Sequence, residues 1–390
     1  MGKSINVCMI STNHSPFDSR IFYKEAKSLL RAGFAVTVIG KNNPEMEVIS
    51  EGINVIGIRR GSGAISYFKI LKMLLKRARD VDADIYHCHE PESLPILIYL
   101  KLTKSKKVVY DVHEYYPEVV SLSDFNTRLF LRFMLYIFEP IFCGCVDAII
   151  TATEQIEDRY KKFNHNVYTI FNFPTLDFES SSNLDLKNNY QNKSLVIYVG
   201  GMYKERGIIE LIKAVHMVAG IRPSIKLLLL GTFASEEFEK ECKEYVNINN
   251  LAENVEFLGF VPHENVADYI KISDIGAVLL KPILKFFNSI PIKQFEYMIC
   301  GIPIIGSRLP PIENVVGKEG AGILVDPNNI DEVSNTIIYL LDHPEVRDEM
   351  GRKGRHAIER EYNWDRMEEI LVRIYSEMKN NLLYDNAPQK

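Results

Sequence analysis

Lys293 and Glu296 sit three residues apart in the stretch "NSIPIKQFEYMICGIPIIGS", residues 288–307. Its middle reads as a short helix, so the two side chains share one face. As an exposed ion pair they would contribute little. As a ligand site they divide the work, because a lysine suits a phosphate or sugar and a carboxylate can accept two hydroxyl bonds at once. A second stretch, "GGMYKERG" from Gly200 to Gly207, follows an apolar run and opens a helical pattern. Glycines there let a backbone approach a ligand closely, helix-start amides favour an anion, and Arg206 offers a planar fork to phosphate oxygens. The alternative is an ordinary strand-to-helix turn with an exposed arginine. Its glycine spacing does not fit the dinucleotide fingerprint.

The first half carries polar loops of a different kind. "STNHSPFDSRIF" (Ser11–Phe22) joins a strand to a helix, "HCHEPES" brings His87, His89 and Glu90, and "DVHEYYPE" brings Asp111, His113, Glu114, Tyr115 and Glu118. All lie at predicted strand ends. Zinc on His87, His89 and His113 is conceivable, since residues two apart on a strand share a face. No metal signature matches the spacing, however, and carboxylates, imidazoles and tyrosines suit sugar hydroxyls. No metal or other cofactor is expected.

The elements that must position these residues alternate. Short β-branched runs such as "INVCMIS", "AVTVIG", "INVIGI", "DIYHCH", "KVVYDVH" and "DAIITAT" are separated by helical patterns at Arg20–Ala32, Ser66–Arg79, Pro91–Leu102 and Thr127–Phe142. A second series starts at "SLVIYVGG" and runs through "IKLLLLG", "VEFLGF", "IGAVLL", "IPIIGS" and "AGILVD". Alternation of this kind predicts right-handed βαβ units and parallel sheets. At 390 residues the chain is too long for one ordinary core. The expected class is therefore α/β with two doubly wound domains. The boundaries read as 1–172, a Ser/Asn/Asp-rich linker at 173–193, a second domain at 194–362, and a last helix over 363–390 that crosses back to the first. Parallel sheets bind ligands at the carboxyl ends of their strands, so a cleft between two such domains is the expected site.

Composition excludes several classes. Hydrophobic content of 46% with 25% charge is that of a globular protein. The net charge of −5 and the lack of an aromatic-interleaved basic stripe argue against nucleic acid. Six cysteines lack metal-ligand spacing and read as buried thiols. No secretory pattern or long apolar run stands out, so the expected location is the cytoplasm. The helical stretch 66–79 mixes Phe68, Leu71, Leu74 and Leu75 with five basic residues, and Thr127–Phe142 is rich in Leu, Phe and Tyr. Either could rest on an anionic membrane, or simply cover the first sheet.

Taken together, the first loop, "DVHEYYPE", "YVGGMYKERGIIELI", "NVEFLGFVPHENVADYIKISDIGAVLLKP", "KQFEYMICGIPIIGS" and the helix near Trp364 resemble the retaining glycosyltransferases of family 4, over nearly the whole chain. The resemblance implies the GT-B fold of two facing Rossmann-like domains. It also implies transfer of a sugar from a nucleotide sugar, with UDP or GDP expected, to a hydroxyl of a glycan or lipid-linked acceptor in polysaccharide or cell-envelope synthesis. By position, Glu296 matches the glutamate that binds the ribose, Arg206 the basic diphosphate ligand, and His113 a histidine on the donor sugar. Phe260 and Val261 fall in the segment that recognises the base. Gly200, Gly201, Asn288 and Lys293 complete the donor side, and Asp18, Arg20, His89, Glu114 and Tyr115 the acceptor side. His113, Arg206, Lys293 and Glu296 are the catalytic set so implied. Two departures mark a divergent subgroup: Asn288 stands where the family has a first glutamate, and Gly201 where it often has arginine. Lys293 would supply the missing cation. A glycoside hydrolase, or a non-catalytic sugar-nucleotide-binding subunit, are the readings from other classes.

Overall fold

The computed structural model describes residues 4–59, 64–113, 134–178 and 184–385. The chain divides into two compact units, one of Met1–Asn172 with Trp364–Lys390 and the other of Phe173–Asn363.

Among the described residues, the first unit's sheet has eight strands: β1 (Asn6–Ile10), β2 (Ala35–Lys41), β3 (Met46–Ser50), β4 (Ile53–Ile58), β5 (Ile85–Cys88), β6 (Lys107–Val112), β7 (Ala148–Thr151) and β8 (Val167–Thr169). Their spatial order is β3-β4-β2-β1-β5-β6-β7-β8, parallel except at β3. The strand β3 escapes a pattern reading because this antiparallel edge strand leaves Val48 and Ile49 exposed, so no buried run marks it. Central strands are largely apolar, as burial on both faces requires; β5, β7 and most of β6 lie wholly inside, His87 and Asp111 among them. The helix Ala64–Val81 sinks Ile70, Leu74 and Ala78 into this core and leaves Lys69, Lys72, Lys76 and Arg79 exposed. Its apolar face therefore covers the sheet. The expected helix at Thr127–Phe142 lies outside the described residues up to 133; from Met134 the chain is helical through Cys145.

The final helix, Trp364–Asp385, packs on this first unit as expected. Trp364 is 1% exposed and its indole donates to Ser28 Oγ at 2.9 Å. Phe171 N–H meets Met367 Sδ at 3.2 Å, and Tyr375 is fully buried.

The second unit's sheet is parallel throughout: β9 (Ser194–Val199), β10 (Ile225–Leu230), β11 (Val255–Gly259), β12 (Ile275–Val278), β13 (Ile304–Ser307) and β14 (Gly322–Val325), in the order β11-β10-β9-β12-β13-β14. The polar segment after Asn172 is not bare: Phe173 is buried against Phe295 and Tyr362, and a short helix forms at Leu184–Asn189. Two helices beyond β14, Ile330–Asp342 and Pro344–Arg360, finish the unit. The second carries glycines where it meets the helix Ile292–Ile299. A Cβ at Gly351 would lie 1.9 Å from Gly301 O, and Arg355 caps the Ile299 carbonyl at 2.6 Å.

A buried charge network sits inside the first unit. Arg20 is 3% exposed and grips Asp111 through Nε (3.1 Å) and Nη2 (3.2 Å). It also donates to Ile170 O at 2.8 Å and contacts Glu25 at 2.8 Å. One guanidinium balances one carboxylate. Burial raises both acids, but Arg20 and the histidines hold Asp111 well below the carboxylate range, whereas burial lifts Glu25 well above it despite Arg20, with Asp111 adding to the rise. Glu25 is thus the member that keeps its proton. An unfolded glutamate loses its proton near pH ~4.3. Above that pH the unfolded chain releases a proton that folded Glu25 retains, so this group lowers stability as pH rises. Glu25→Gln keeps the shape and removes the penalty. Urea unfolding should find the variant at least as stable as the parent at pH 7.5, with the advantage shrinking toward pH 4.5. A destabilisation of about 3–5 kcal/mol at pH 7.5 would instead make Glu25 the ionised partner of a broken buried pair.

Candidate functional site

The carboxyl edge of the second sheet is shaped by glycine. The strands β9, β10 and β11 end at Gly200, Gly231 and Gly259, with φ of 122°, 134° and 68°. Backbone bonds tie the row together: Gly200 N–H to Leu230 O (2.8 Å) and Gly231 N–H to Gly259 O (2.7 Å). A Cβ at Gly231 would lie 2.2 Å from Gly200 O, so only glycine permits this approach. The turn after Gly200 closes at Gly207, where a Cβ would meet Leu279 O at 2.2 Å, and the helix Ile208–Ala219 begins.

Two cations converge on this turn. A Cβ at Gly200 would stand 3.3 Å from Lys293 Nζ and 3.5 Å from Arg206 Nη1. Arg206 is steadied by Gly201 O at 3.2 Å and by the Tyr203 ring, 5.0 Å away. Lys293 projects from the helix Ile292–Ile299, is 8% exposed, and its Nζ has no hydrogen-bond partner among the described residues. What it has is the face of Tyr198, whose centroid is 3.7 Å away, a cation–π contact. The Tyr198 hydroxyl is occupied by Gly201 O at 2.8 Å. Burial, and then the charge of Arg206, push the Lys293 ammonium well below the ordinary lysine range; Glu296 opposes this only in part. The exposed ion pair considered for Lys293 and Glu296 is therefore not what the fold builds. Lysine and arginine side by side, one of them desolvated, make a receptor for an anion.

Elsewhere in this unit Phe260 is 77% exposed and Val261 half-buried just past β11. Asn288 caps the short helix Leu284–Phe287 and Gly201 lies under the Tyr203 ring, a Cβ there being 2.9 Å from Tyr203 Cε2.

In the first unit, His113 follows β6 with its side chain 16% exposed. Its Nε2 is 3.0 Å from Asp111 Oδ2 and 3.2 Å from His89 Nδ1. Two residues expected to face an acceptor lie inside instead: Arg20 grips Asp111, and His89 is 0% exposed beside His87 and Asp111. Asp18 is turned to its own backbone, accepting from Arg20 N–H (2.8 Å) and Ile21 N–H (3.1 Å) at the helix start. Burial opposes its ionisation, yet His14 and these amides draw its carboxyl well below the usual range. Glu90 pins the first loop, taking Ser11 Oγ at 2.5 Å and Thr12 N–H at 2.9 Å. Glu114 and Tyr115 lie outside the described residues.

Metal-ligand chemistry is present in the same core. Glu25, His87, His89 and Asp111 offer ligand atoms within 4.8 Å of one another. Arg20, however, touches both carboxylates, and Tyr375 Oη lies 2.8 Å from His87 Nδ1. The guanidinium already fills the cation's place. Glu25 and Tyr375 gave no local signal in the sequence, whereas Gly231 and Gly259 did: each directly ends an apolar run.

The model of glycosyl transferases group 1 matches residues 183–357, and that of glycosyltransferase family 4 matches residues 19–177. A GDP-mannose-dependent monoacylated α-(1-6)-phosphatidylinositol monomannoside mannosyltransferase of Corynebacterium glutamicum is 29% identical over 171 residues, 43% of each chain. The matched stretch thus spans under half the length of that relative. A sucrose-phosphate synthase from Thermosynechococcus elongatus superposes with a TM-score of 0.77 at 19% identity, over 97% of this chain and all of the other. The Anabaena protein HepE, solved with UDP and glucose, gives 0.73 at 14% identity, over 96% and 100%. With one model on each unit and the two parallel sheets described above, the chain has the two Rossmann-like sheets of the GT-B fold, its first unit similar to glycosyltransferase family 4 and its second to glycosyl transferases group 1.

Proposed function

We propose that the protein transfers a sugar, with its anomeric configuration retained, from a nucleoside diphosphate sugar to a hydroxyl of a glycan or lipid-linked acceptor. The observation that carries this is Lys293: a buried amine with no hydrogen-bond partner among the described residues, next to Arg206, at a glycine-lined sheet edge. Neither cation position makes sense for a neutral polyol alone. A diphosphate satisfies both. GDP-mannose in the name of the Corynebacterium relative and UDP in the HepE structure support a nucleoside diphosphate, and the phosphatidylinositol mannoside of the former supports a lipid-linked acceptor.

In this reading Glu296 holds the ribose hydroxyls, and the backbone at Phe260–Val261 meets the base. Arg206 and Lys293 face the diphosphate, where negative charge grows as the glycosidic bond breaks. Charge stabilisation that is stronger in the transition state than in the bound donor is what raises turnover. His113 meets the donor sugar. The departing phosphate oxygen takes the acceptor's proton, so no separate nucleophile is required. Because two side-chain cations serve the diphosphate, transfer proceeds without a metal, and EDTA should leave the rate unchanged. Loss of activity in EDTA with recovery on added Mn²⁺ would refute that point.

Binding of UDP or GDP should draw a proton onto Lys293, since an anion beside Nζ reverses the shift that burial and Arg206 impose. Affinity should therefore weaken as pH rises from 7 to 9, more steeply in the parent than in Lys293→Met, as titration calorimetry would record. Glu296→Ala should weaken donor binding by about 10–100-fold, the loss of bonds to a charged acceptor. Arg206→Ala should reduce single-turnover rate more than affinity. Wild-type donor affinity in Glu296→Ala would remove this helix from the donor site.

A further inference from the structure

His113 is the member of the first unit's polar cluster that reaches the surface, and the groups behind it are arranged as a chain. Asp111 Oδ2 receives Arg20 Nε at 3.1 Å and lies 3.0 Å from His113 Nε2 and 3.4 Å from His89 Nδ1. His87 Nε2 faces the same oxygen at 3.8 Å, an electrostatic contact rather than a hydrogen bond. His87 is closed off at its other nitrogen by Tyr375 Oη, 2.8 Å from Nδ1, on the final helix. Asp111, His87 and His89 are all 0% exposed.

A buried carboxylate accepts and cannot donate, so the ring nitrogen closest to it carries its hydrogen there. That nitrogen is His113 Nε2, 3.0 Å from Asp111 Oδ2, and His89 Nδ1, 3.2 Å from the same Nε2, is then the accepting partner of that hydrogen rather than a second donor. Tyr375 Oη closes His87 Nδ1 and leaves Nε2 turned toward Asp111, where a hydrogen on Nε2 and a hydroxyl donated to Nδ1 suit both neighbours. The Arg20 fork prevents Asp111 from turning away. His14, whose ring centroid is 5.3 Å from that of His113, engages Asp18 at 3.4 Å and Glu90 at 3.7 Å rather than Asp111.

We infer that Asp111 is a positioning residue for His113, fixing its Nε2–H tautomer so that Nδ1 can accept a hydroxyl hydrogen of the bound sugar, and that Tyr375 supports Asp111 from the C-terminal helix through His87. The orientation of one imidazole is set by the bond its other nitrogen makes. The role of His113 toward sugar rests on the function proposed above; the tautomer does not. An imidazole proton at Nδ1 would present a donor to the sugar and lose the acceptor.

Histidine labelled with ¹⁵N in the full-length protein reports the tautomer directly, with the His113 signals assigned from a His113→Gln spectrum. At pH 7.5 the parent should show one tautomer with Nε2 protonated. Asp111→Asn should convert it to a mixture or to the Nδ1–H form. It should also lower kcat by about 10–100-fold, the loss of a hydrogen bond to a charged group, with a smaller change in donor KM. Tyr375→Phe, which leaves every charge in place, should shift the tautomer in the same direction to a lesser extent and serves if the asparagine variant does not fold. An Nδ1–H tautomer in the parent, or an unaltered one in both variants, would overturn the inference. A single Nε2–H tautomer that responds to both substitutions, in a protein that moves no sugar from any nucleotide donor, would uphold the positioning role and overturn the proposed function instead.

Discussion

A guanidinium out of reach of water must be met by a carboxylate, and the first unit is organised around one such meeting. Arg20 begins the helix after β1, Asp111 stands one residue before the end of β6, and Ile170 follows β8, so a single side chain fastens three distant points of the chain at one edge of the sheet. The Coulomb gain in such a place is largely offset by desolvation. What the pair secures is position: the end of β6 cannot shift without stranding a charge, and His113 is two residues further on.

The second unit handles buried charge the opposite way. Lys293 and Arg206 lie close together, and among the described residues the lysine meets no hydrogen-bond partner. Placing an ammonium there costs stability, and the cost is tolerable because Tyr198 offers its π face and the ammonium can shed its proton. An arrangement that is unfavourable when empty and favourable with an anion is how a fold stores binding energy. The glycine row at Gly200, Gly231 and Gly259 keeps side chains off the same sheet edge and lets neighbouring backbones pass where a Cβ would collide.

The strands and most helices were legible because parallel sheets demand long apolar runs separated by helical periods. The places that were not legible share a cause. The edge strand β3 is half polar, β8 is three residues long, and the helices after β14 lie beyond the last strand that the pattern reading marked. At the site, Lys293 and Glu296 stood out by spacing, as did the glycines around Arg206. For Arg20 and His89 the family resemblance implies an acceptor-facing role that the fold does not give them. Alternation along a strand says which residues share a face, but not which face is sealed, and here the sealing helix arrives from the far end of the sequence. Tyr375 and Glu25 meet His87 and Asp111 only in three dimensions, so no local pattern announces them.

The final helix has a consequence for how the protein is made. The first unit is interrupted after Asn172 and resumes only at Trp364, with the whole second unit inserted between. At translation rates of about 5–20 residues per second, the ribosome needs on the order of 10–40 seconds to supply the missing piece. During that interval Ser28 lacks Trp364 and His87 lacks Tyr375, so the apolar surface over the first helix stays uncovered and the histidine cluster stays open. The second unit, continuous in sequence, can finish earlier although it begins later. A nascent chain therefore completes the unit that bears Arg206 and Lys293 before the unit that bears His113, and any truncation near the carboxyl terminus falls on the unit that was synthesised first.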